Sequence, residues 1–216
     1  MKTRKKALLL LFSAVMLVTA SVLGTMAYLT SQDEVVNTFT VGEVDIRLDE
    51  AEVKPDGTYV NGHDTRVENN EYHLLPGHTY YKDPTVTVLK GSEHSYVRML
   101  VTINEQADLD AIFAPDGLPL DTFFGGTSAD WTLTKESKNN DNTRTYEFRY
   151  KGTVAAPNED VVLDDLFETI TVPGNVTGDQ LATIDELEIK VVAQAIQADG
   201  FENADEAWEA FSTDGN

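Results

Sequence analysis

The sequence predicts an all-β protein: a single antiparallel β-sandwich with one short C-terminal helix, preceded by a signal-peptide helix. Three observations carry this prediction. Apolar and polar residues alternate along several short segments, turn residues separate these segments, and helical spacing returns only near the end. At 216 residues, 41% hydrophobic and 25% charged, the chain has the composition of a globular protein. Among sandwiches, we favour a jelly-roll-like arrangement, although the pattern does not fix the strand order.

The alternation begins near Phe39 and runs to Leu48, with a change of phase at Gly42-Glu43 that is typical of a bulge or a bend. Turn signals stand at Pro55–Gly57 and Leu75–Gly77, and the polar segment Asn61–Asn70 between them is predicted to be a loop. In all we expect seven to nine strands. The clearest later strands are Thr85–Leu89, Ser95–Asn104, Trp131–Lys135, Thr143–Lys151, Phe167–Val172 and Leu187–Ala195.

Ser95–Asn104 is expected to be a central strand, because both of its faces carry apolar side chains. A hairpin is predicted around Asn139–Asn142. Leu109–Gly126 contains two prolines and three glycines and is predicted to be a long loop, with a helical turn near Asp108–Phe113. The predicted core consists of Phe39, Val44, Ile46, Val97, Met99, Val101, Tyr146, Phe148, Ile189 and Val191.

The period changes at the C-terminal end of the chain. Asn203 is a candidate N-cap with Glu206 three residues later, and apolar residues follow at helical spacing up to Phe211. We therefore predict a helix over about 203–212. Residues 37–216 contain no Pro- or Ser-rich linker, so they are predicted to form one domain.

The N-terminal segment has the pattern of a secretory signal peptide. Lys2, Arg4, Lys5 and Lys6 precede an apolar run, which ends in small residues with Thr25 and Ala27 at the positions that a signal peptidase recognises. We predict that residues 1–27 are removed by cleavage between Ala27 and Tyr28. The alternative is an uncleaved anchor, since Ala7–Gly24 is long enough to span a bilayer. On the first interpretation the protein is secreted, and it contacts the membrane only before cleavage.

Charge and cysteine content exclude several classes of function. Residues 1–27 carry four of the 16 basic residues and none of the 37 acidic ones, so the mature chain has 12 basic residues and a formal charge of −25. This charge argues against nucleic acid as a partner and against attraction to anionic lipid. The absence of cysteine excludes disulfides, thiolate metal sites and thiol nucleophiles.

No motif for catalysis, metal binding or cofactor binding is recognisable. The four histidines, His63, His73, His78 and His94, do not have zinc-protease spacing, and no G-x-S-x-G elbow occurs. We therefore predict a protein that is not an enzyme and uses no cofactor.

The residues around the cleavage site resemble the TasA/camelysin family of exported proteins. The resemblance rests on Gly24–Thr30, Asn37–Gly42 and Val44–Ile46, and it continues in Leu74–Gly77 ahead of Tyr80–Asp83 and in Ile189–Phe201. It implies cleavage by a SipW-type signal peptidase, a jelly-roll fold, and self-association into fibres of the biofilm matrix or with related matrix proteins. Camelysin is classed as a metallopeptidase, but this sequence offers no zinc motif onto which that activity could be carried.

Residues 28–36 are predicted to be an N-terminal assembly arm. Tyr28, Leu29, Val35 and Val36 are its apolar residues, and Phe39 follows where the arm joins the domain. Such an arm could add as a strand to a neighbouring subunit, the mode of assembly that the resemblance implies, or it could be an ordinary first strand.

Two other functions stay open from the sequence. A secreted metal-dependent endopeptidase would require the histidines to converge in space. A cell-surface adhesin or binding module would use the Leu109–Gly126 loop, with Phe123 and Phe124 exposed around a concave site.

Overall fold

We describe the fold from a computed structural model. The structure describes residues 6, 12, 14, 15, 42–113, 123–184 and 186–214. The chain divides into two compact units, Met1–Val41 and Gly42–Asn216. In the first unit the four described residues are helical, and the rest of the predicted signal peptide and the whole of the predicted arm lie outside the described residues. Among the residues that are described, no helix is long and apolar enough to span a membrane.

The second unit is built mainly of strands, of which the described residues form twelve rather than the predicted seven to nine. Six of them are only two or three residues long, too short to show an alternating pattern. One of these short strands, Arg66–Val67, corrects the prediction that Asn61–Asn70 is entirely loop. The strands are β1 (Ile46–Ala51), β2 (Arg66–Val67), β3 (Thr79–Tyr81), β4 (Thr85–Val88), β5 (Ser92–Ile103), β6 (Phe124–Gly125), β7 (Trp131–Lys138), β8 (Arg144–Tyr150), β9 (Val154–Ala156), β10 (Val161–Val162), β11 (Thr169–Thr171) and β12 (Ile189–Gln197).

These strands form three antiparallel sheets. The largest has the order β12-β5-β8-β7, with β9 also paired to β5; the second has the order β10-β4-β1-β2, and the third β3-β11-β6. Buried residues from all three sheets belong to one hydrophobic core. The prediction of an all-β, sandwich-like fold with a short C-terminal helix is confirmed.

Strand β5 is central, as predicted, because β12 pairs with one of its edges and β8 and β9 with the other. Its core face is almost completely buried, with at most 1% exposure for Val97, Met99, Val101 and Ile103. Tyr146 and Phe148 are also buried as predicted.

Four of the predicted core residues are only half-buried, namely Val44, Ile46, Ile189 and Val191. They lie on or just before β1 and β12, and within the described residues each of these strands has one edge without a strand partner along much of its length. Partial exposure of these side chains therefore follows from their position at the boundary of the core. Phe39 lies outside the described residues.

The end of the predicted Leu109–Gly126 loop packs into the core. Phe123 and Phe124 are 1% and 3% exposed, and their rings meet edge to face with centroids 5.0 Å apart. The expectation of exposed aromatic residues at this loop is therefore wrong. The expected helical turn is an eight-residue helix, α1 (Gln106–Phe113).

Two further helices follow, α2 (Gly178–Leu181) and α3 (Ala204–Asp214). Asn203 caps α3, since its Oδ1 accepts a hydrogen bond from the backbone N of Glu206 at 3.1 Å. The Glu206 carboxylate bonds the backbone N of Glu202 instead of that of Asn203, so the capping is not fully reciprocal. The Trp208 ring of α3 lies 4.2 Å from the Arg98 guanidinium of β5, which places the helix against the outer face of the largest sheet.

Candidate functional site

The outer edge of β12 is the most distinctive backbone feature of the domain. Its pairing with β5 is flanked by one backbone hydrogen bond at each end: Asn104 N donates to Glu188 O (3.3 Å), and Ala198 N donates to His94 O (2.7 Å). In an antiparallel pair the bonded residues alternate, so every second residue of β12 directs its N–H and C=O away from β5. These outward-directed residues are Ile189, Val191, Ala193, Ala195 and Gln197. In the described part of the chain, no backbone group bonds this second edge.

This edge lacks the features that usually protect an edge strand. At the opposite edge of the same sheet, β7 has a register shift between Leu133 and Lys135 and carries three charged residues. Strand β12 pairs in continuous register over nine residues, contains no proline, and has Lys190 as its only charge. Bulges, charges and prolines discourage the addition of another strand. Among the described residues, β12 therefore carries fewer of these protections than β7, and it is the candidate edge of this sheet for strand addition.

Strand β1 offers a second open edge beside it. The bonds from Leu89 N to Asp45 O and from Glu52 N to Thr65 O fix which residues of β1 face each neighbour. By alternation, Ile46 and Leu48 direct their backbone groups away from β4, while β2 covers only the end of β1 at Glu50 and Ala51. Cα atoms of β1 and β12 come within 8 Å of each other, but the two strands share no hydrogen-bonded register.

A groove of about 1160 Å³ opens between these strands. Its lining mixes apolar side chains with polar and charged ones, and it includes the carboxylates of Glu68, Glu71, Glu186 and Glu188. Apolar side chains beside unpaired backbone can accommodate alternate side chains of an added strand while the backbone pairs. The apolar lining residues include Leu48, Tyr72, Leu74, Leu181, Ile184, Leu187, Ile189 and Val191.

One wall of the groove holds a buried ion pair. The Lys82 Nζ lies 2.5 Å from Glu50 Oε2, and both side chains are less than 10% exposed. Burial raises the pKa of the Tyr72 phenol beside this pair well above its ordinary value, and the negative charges of Glu50 and Asp83 raise it further. Tyr72 therefore stays neutral and donates its hydroxyl hydrogen to the backbone O of Tyr81 at 3.1 Å.

A second cavity of about 670 Å³ is lined by a cluster of charged side chains. Arg66 bonds Asp49 and Asp83 there at 2.9 and 2.7 Å, so those two carboxylates are compensated. Burial, followed by repulsion from Glu168, Asp83 and Asp164, raises the pKa of Asp165. Burial and the carboxylate of Asp83 likewise raise the pKa of Tyr59 to about 12. These groups form a solvated acidic surface rather than an acid–base pair.

The histidines do not form a metal centre in the part of the chain that the structure describes. His63 Nδ1 lies 3.4 Å from Asp83 Oδ2, and the His78 ring is tilted by 52° against the ring of Tyr80. Within residues 42–113, 123–184 and 186–214, no group of three or more histidine, aspartate or glutamate side chains is arranged to hold a metal ion. No specific feature of these residues favours a peptidase.

The residues that the sequence assigned to processing and assembly are Ala27, Tyr28, Leu29, Val35, Val36 and Phe39, and all of them lie outside the described residues. The sequence did predict β12 as a strand, but the alternation gave no sign that it would be at an edge. Glu50, Asn70 and Lys82 were not singled out at all, because no local motif connects them.

Comparison with known proteins adds no further identification. No protein-family model, no curated protein and no solved structure matches this chain.

Proposed function

We propose that this chain is an exported structural protein that assembles into extracellular fibres by strand addition. In this proposal, residues 28–36 of one subunit pair with the outer edge of β12 in the next. The observation that carries it is the long edge of β12, which has one charged residue and a continuous register, beside a groove that is partly apolar. The resemblance of the region around the cleavage site to fibre-forming exported proteins supports the same function.

The arm and the edge are matched in length. Residues 28–36 comprise nine residues, and β12 also has nine. Fully extended, each spans about 30 Å at roughly 3.3 Å per residue. Tyr28 and Leu29 lie at one end of the arm, and Val35 and Val36 lie at the other. Strand β12 contributes Ile189, Lys190 and Val191 to the groove, so the apolar pair at one of these ends could place its side chains there. Main-chain hydrogen bonds would supply affinity, and the apolar contacts would set the register.

The contact would be head-to-tail. The donor is the N-terminal arm and the acceptor is β12, so the two surfaces differ and each subunit keeps one of each free. A contact of this kind extends into a filament unless its rotation closes a ring. The proposal includes export, removal of residues 1–27 by a SipW-type signal peptidase, and a location in the extracellular matrix or at the cell surface.

Electrostatics oppose this assembly and offer a way to control it. A mature charge of −25 makes subunits repel each other, and the arm brings Asp33 and Glu34 towards a groove whose border already holds carboxylates. Strand pairing must therefore exceed this repulsion. Salt, divalent cations or mild acid would weaken the repulsion without changing the backbone contacts.

The test removes the donor segment in one variant and blocks the acceptor edge of β12 in another. Electron microscopy of the mature protein should show fibres for the native chain and none after deletion of residues 28–36. Ala193→Pro should also abolish fibres, because it removes an N–H that points away from β5 and leaves the ladder between β5 and β12 intact. The matched control is Glu136→Pro, since Glu136 also directs its backbone outward, at the opposite edge of the same sheet.

Circular dichroism establishes that each variant is folded before it is examined. Fibres from the deleted protein would contradict the role of the arm. Equal loss of fibres in Glu136→Pro and Ala193→Pro would contradict the choice of β12 as the acceptor edge.

A further inference from the structure

Three side chains with complementary chemistry meet at the wall of the groove. Glu50 lies on β1, Asn70 follows β2, and Lys82 comes directly after β3. One oxygen of the Glu50 carboxylate, Oε2, contacts Lys82 Nζ at 2.5 Å, and the other, Oε1, accepts a hydrogen bond from Asn70 Nδ2 at 2.9 Å. A single carboxylate therefore contacts an amine through one oxygen and a primary amide through the other.

The amide of Asn70 is fixed in one orientation. Its Oδ1 accepts a hydrogen bond from the backbone N of Val53 at 2.9 Å, while its Nδ2 donates to the backbone O of Ala51 at 2.9 Å. A backbone N–H that bonds the carbonyl oxygen polarises the amide, and it would stabilise negative charge that develops on this oxygen during attack at Cγ.

The surroundings of the amine exclude most water. The side chains of Lys82 and Glu50 are 8% and 7% exposed. The Tyr72 ring lies 5.8 Å from Nζ, and the hydrogen bond of its hydroxyl to Tyr81 O holds it there. Because its neighbours hold the amine in place, the effective concentration of this amine for an intramolecular reaction with the amide is high.

We propose that Lys82 and Asn70 form an intramolecular isopeptide bond, with Glu50 as the residue that transfers the protons. Lys82 Nζ gives one proton to Glu50, and the resulting amine attacks Cγ of Asn70. The new bond is Nζ–Cγ and the bond that breaks is Cγ–Nδ2. Glu50 returns a proton to the departing nitrogen, which leaves as ammonia and takes up the remaining proton as ammonium. The lysine and the amide are thus converted into a secondary amide and ammonium, with no oxidant or cofactor.

The bond would close a covalent loop from Asn70 to Lys82 that includes the turn at Leu75–Gly77 and the whole of β3. A chain without cysteine has no disulfide to fulfil this role. The inference is independent of fibre formation, because it concerns contacts inside one subunit.

Mass spectrometry of the purified full chain tests it directly. The folded protein should have the mass of its sequence less one ammonia. Trypsin should release Val67–Lys90 as one peptide, uncut at Lys82 and lighter by one ammonia, because an acylated lysine is not a trypsin site. Fragmentation of this peptide should yield no backbone cleavage products between Asn70 and Lys82, since both lie on one ring. An intact mass equal to that of the sequence would overturn the proposal.

Variants separate the cross-link from simple loss of ammonia at an asparagine. Lys82→Arg and Glu50→Gln should each restore the mass of the unlinked chain, while Asn69→Ala, at the exposed neighbouring asparagine, should still lose ammonia. Loss of ammonia that persists in Lys82→Arg would indicate a cyclic imide and contradict the proposal. The mass of the native chain decides the proposal by itself. Circular dichroism shows that each variant is folded before its mass is compared, because the bond is expected to form only between the fixed neighbours of the native fold.

Discussion

Replacement of Val101 by alanine tests the assignment of the core most sharply. Val101 lies in the middle of β5, is completely buried, and pairs with Val191 on one side and Tyr146 on the other. Its neighbours are held in two hydrogen-bonded ladders, so they have little freedom to move into the space that the substitution opens.

The expected cost follows from what the substitution removes. Loss of two carbon groups from the core forfeits about 1.6 kcal/mol of transfer free energy at ~0.8 kcal/mol per group. A residual void of roughly 50 Å³ adds about 1.2 kcal/mol at ~24 cal/mol per Å³. Val101→Ala should therefore lower the free energy of unfolding by about 3 kcal/mol. For a domain of this size, that corresponds to a fall of roughly 6–12 °C in Tm.

Urea denaturation followed by tryptophan fluorescence measures this change, with Val162→Ala as the matched control. Val162 is also a valine in a strand, β10, but it is 66% exposed, so its truncation should change stability by no more than about 0.5 kcal/mol. Equal destabilisation by the two substitutions would refute the assignment of the core face of β5.

Two further predictions concern charge. Burial, and then the carboxylates around it, raise the folded-state pKa of Asp165, so its ionisation lowers stability as pH rises from the unfolded pKa of 3.8 through the folded one. Asp165→Asn should therefore raise stability at about pH 7, and this gain should vanish at a pH below both pKa values. Urea midpoints of the two proteins at about pH 3 and pH 7 measure the difference. Fibre growth, followed by light scattering, should accelerate as pH falls towards 4.3, the pI of the full sequence, or on addition of calcium, and only in protein that retains residues 28–36. Aggregation of the deleted protein at the same rate would instead indicate isoelectric precipitation.

The long strands could be predicted from the sequence because their alternation is regular over many residues. In β5, β8 and β12 one face carries an apolar side chain at every second position, and these residues face the core in the structure. The turn at Pro55–Gly57 was also predicted, and Gly57 adopts a φ of +77° there. A Cβ at this position would lie 2.6 Å from the Cα of Tyr80, so the glycine is required by both conformation and space.

The short strands and the interior polar contacts could not be predicted in this way. A strand of two residues, such as β2 or β10, contains no period and exists because a longer strand pairs with it. The contact of Glu50 with Asn70 and Lys82 joins residues separated by 20 and 32 positions. These side chains meet only in the folded chain, where β1 pairs with β2 and the residue after β3 lies against β1.

The pairing of β12 with β5 also determines how the domain would carry a mechanical load. The two strands are in register over nine residues, from Ile189 opposite Ile103 to Gln197 opposite Ser95. A pull directed along β12 runs parallel to the strands, so hydrogen bonds along the whole ladder resist together as a shear connection. The same force applied across the strands would break the bonds one after another from an end. A subunit chained to its neighbours through β12 would therefore be stiffest along the axis of that strand.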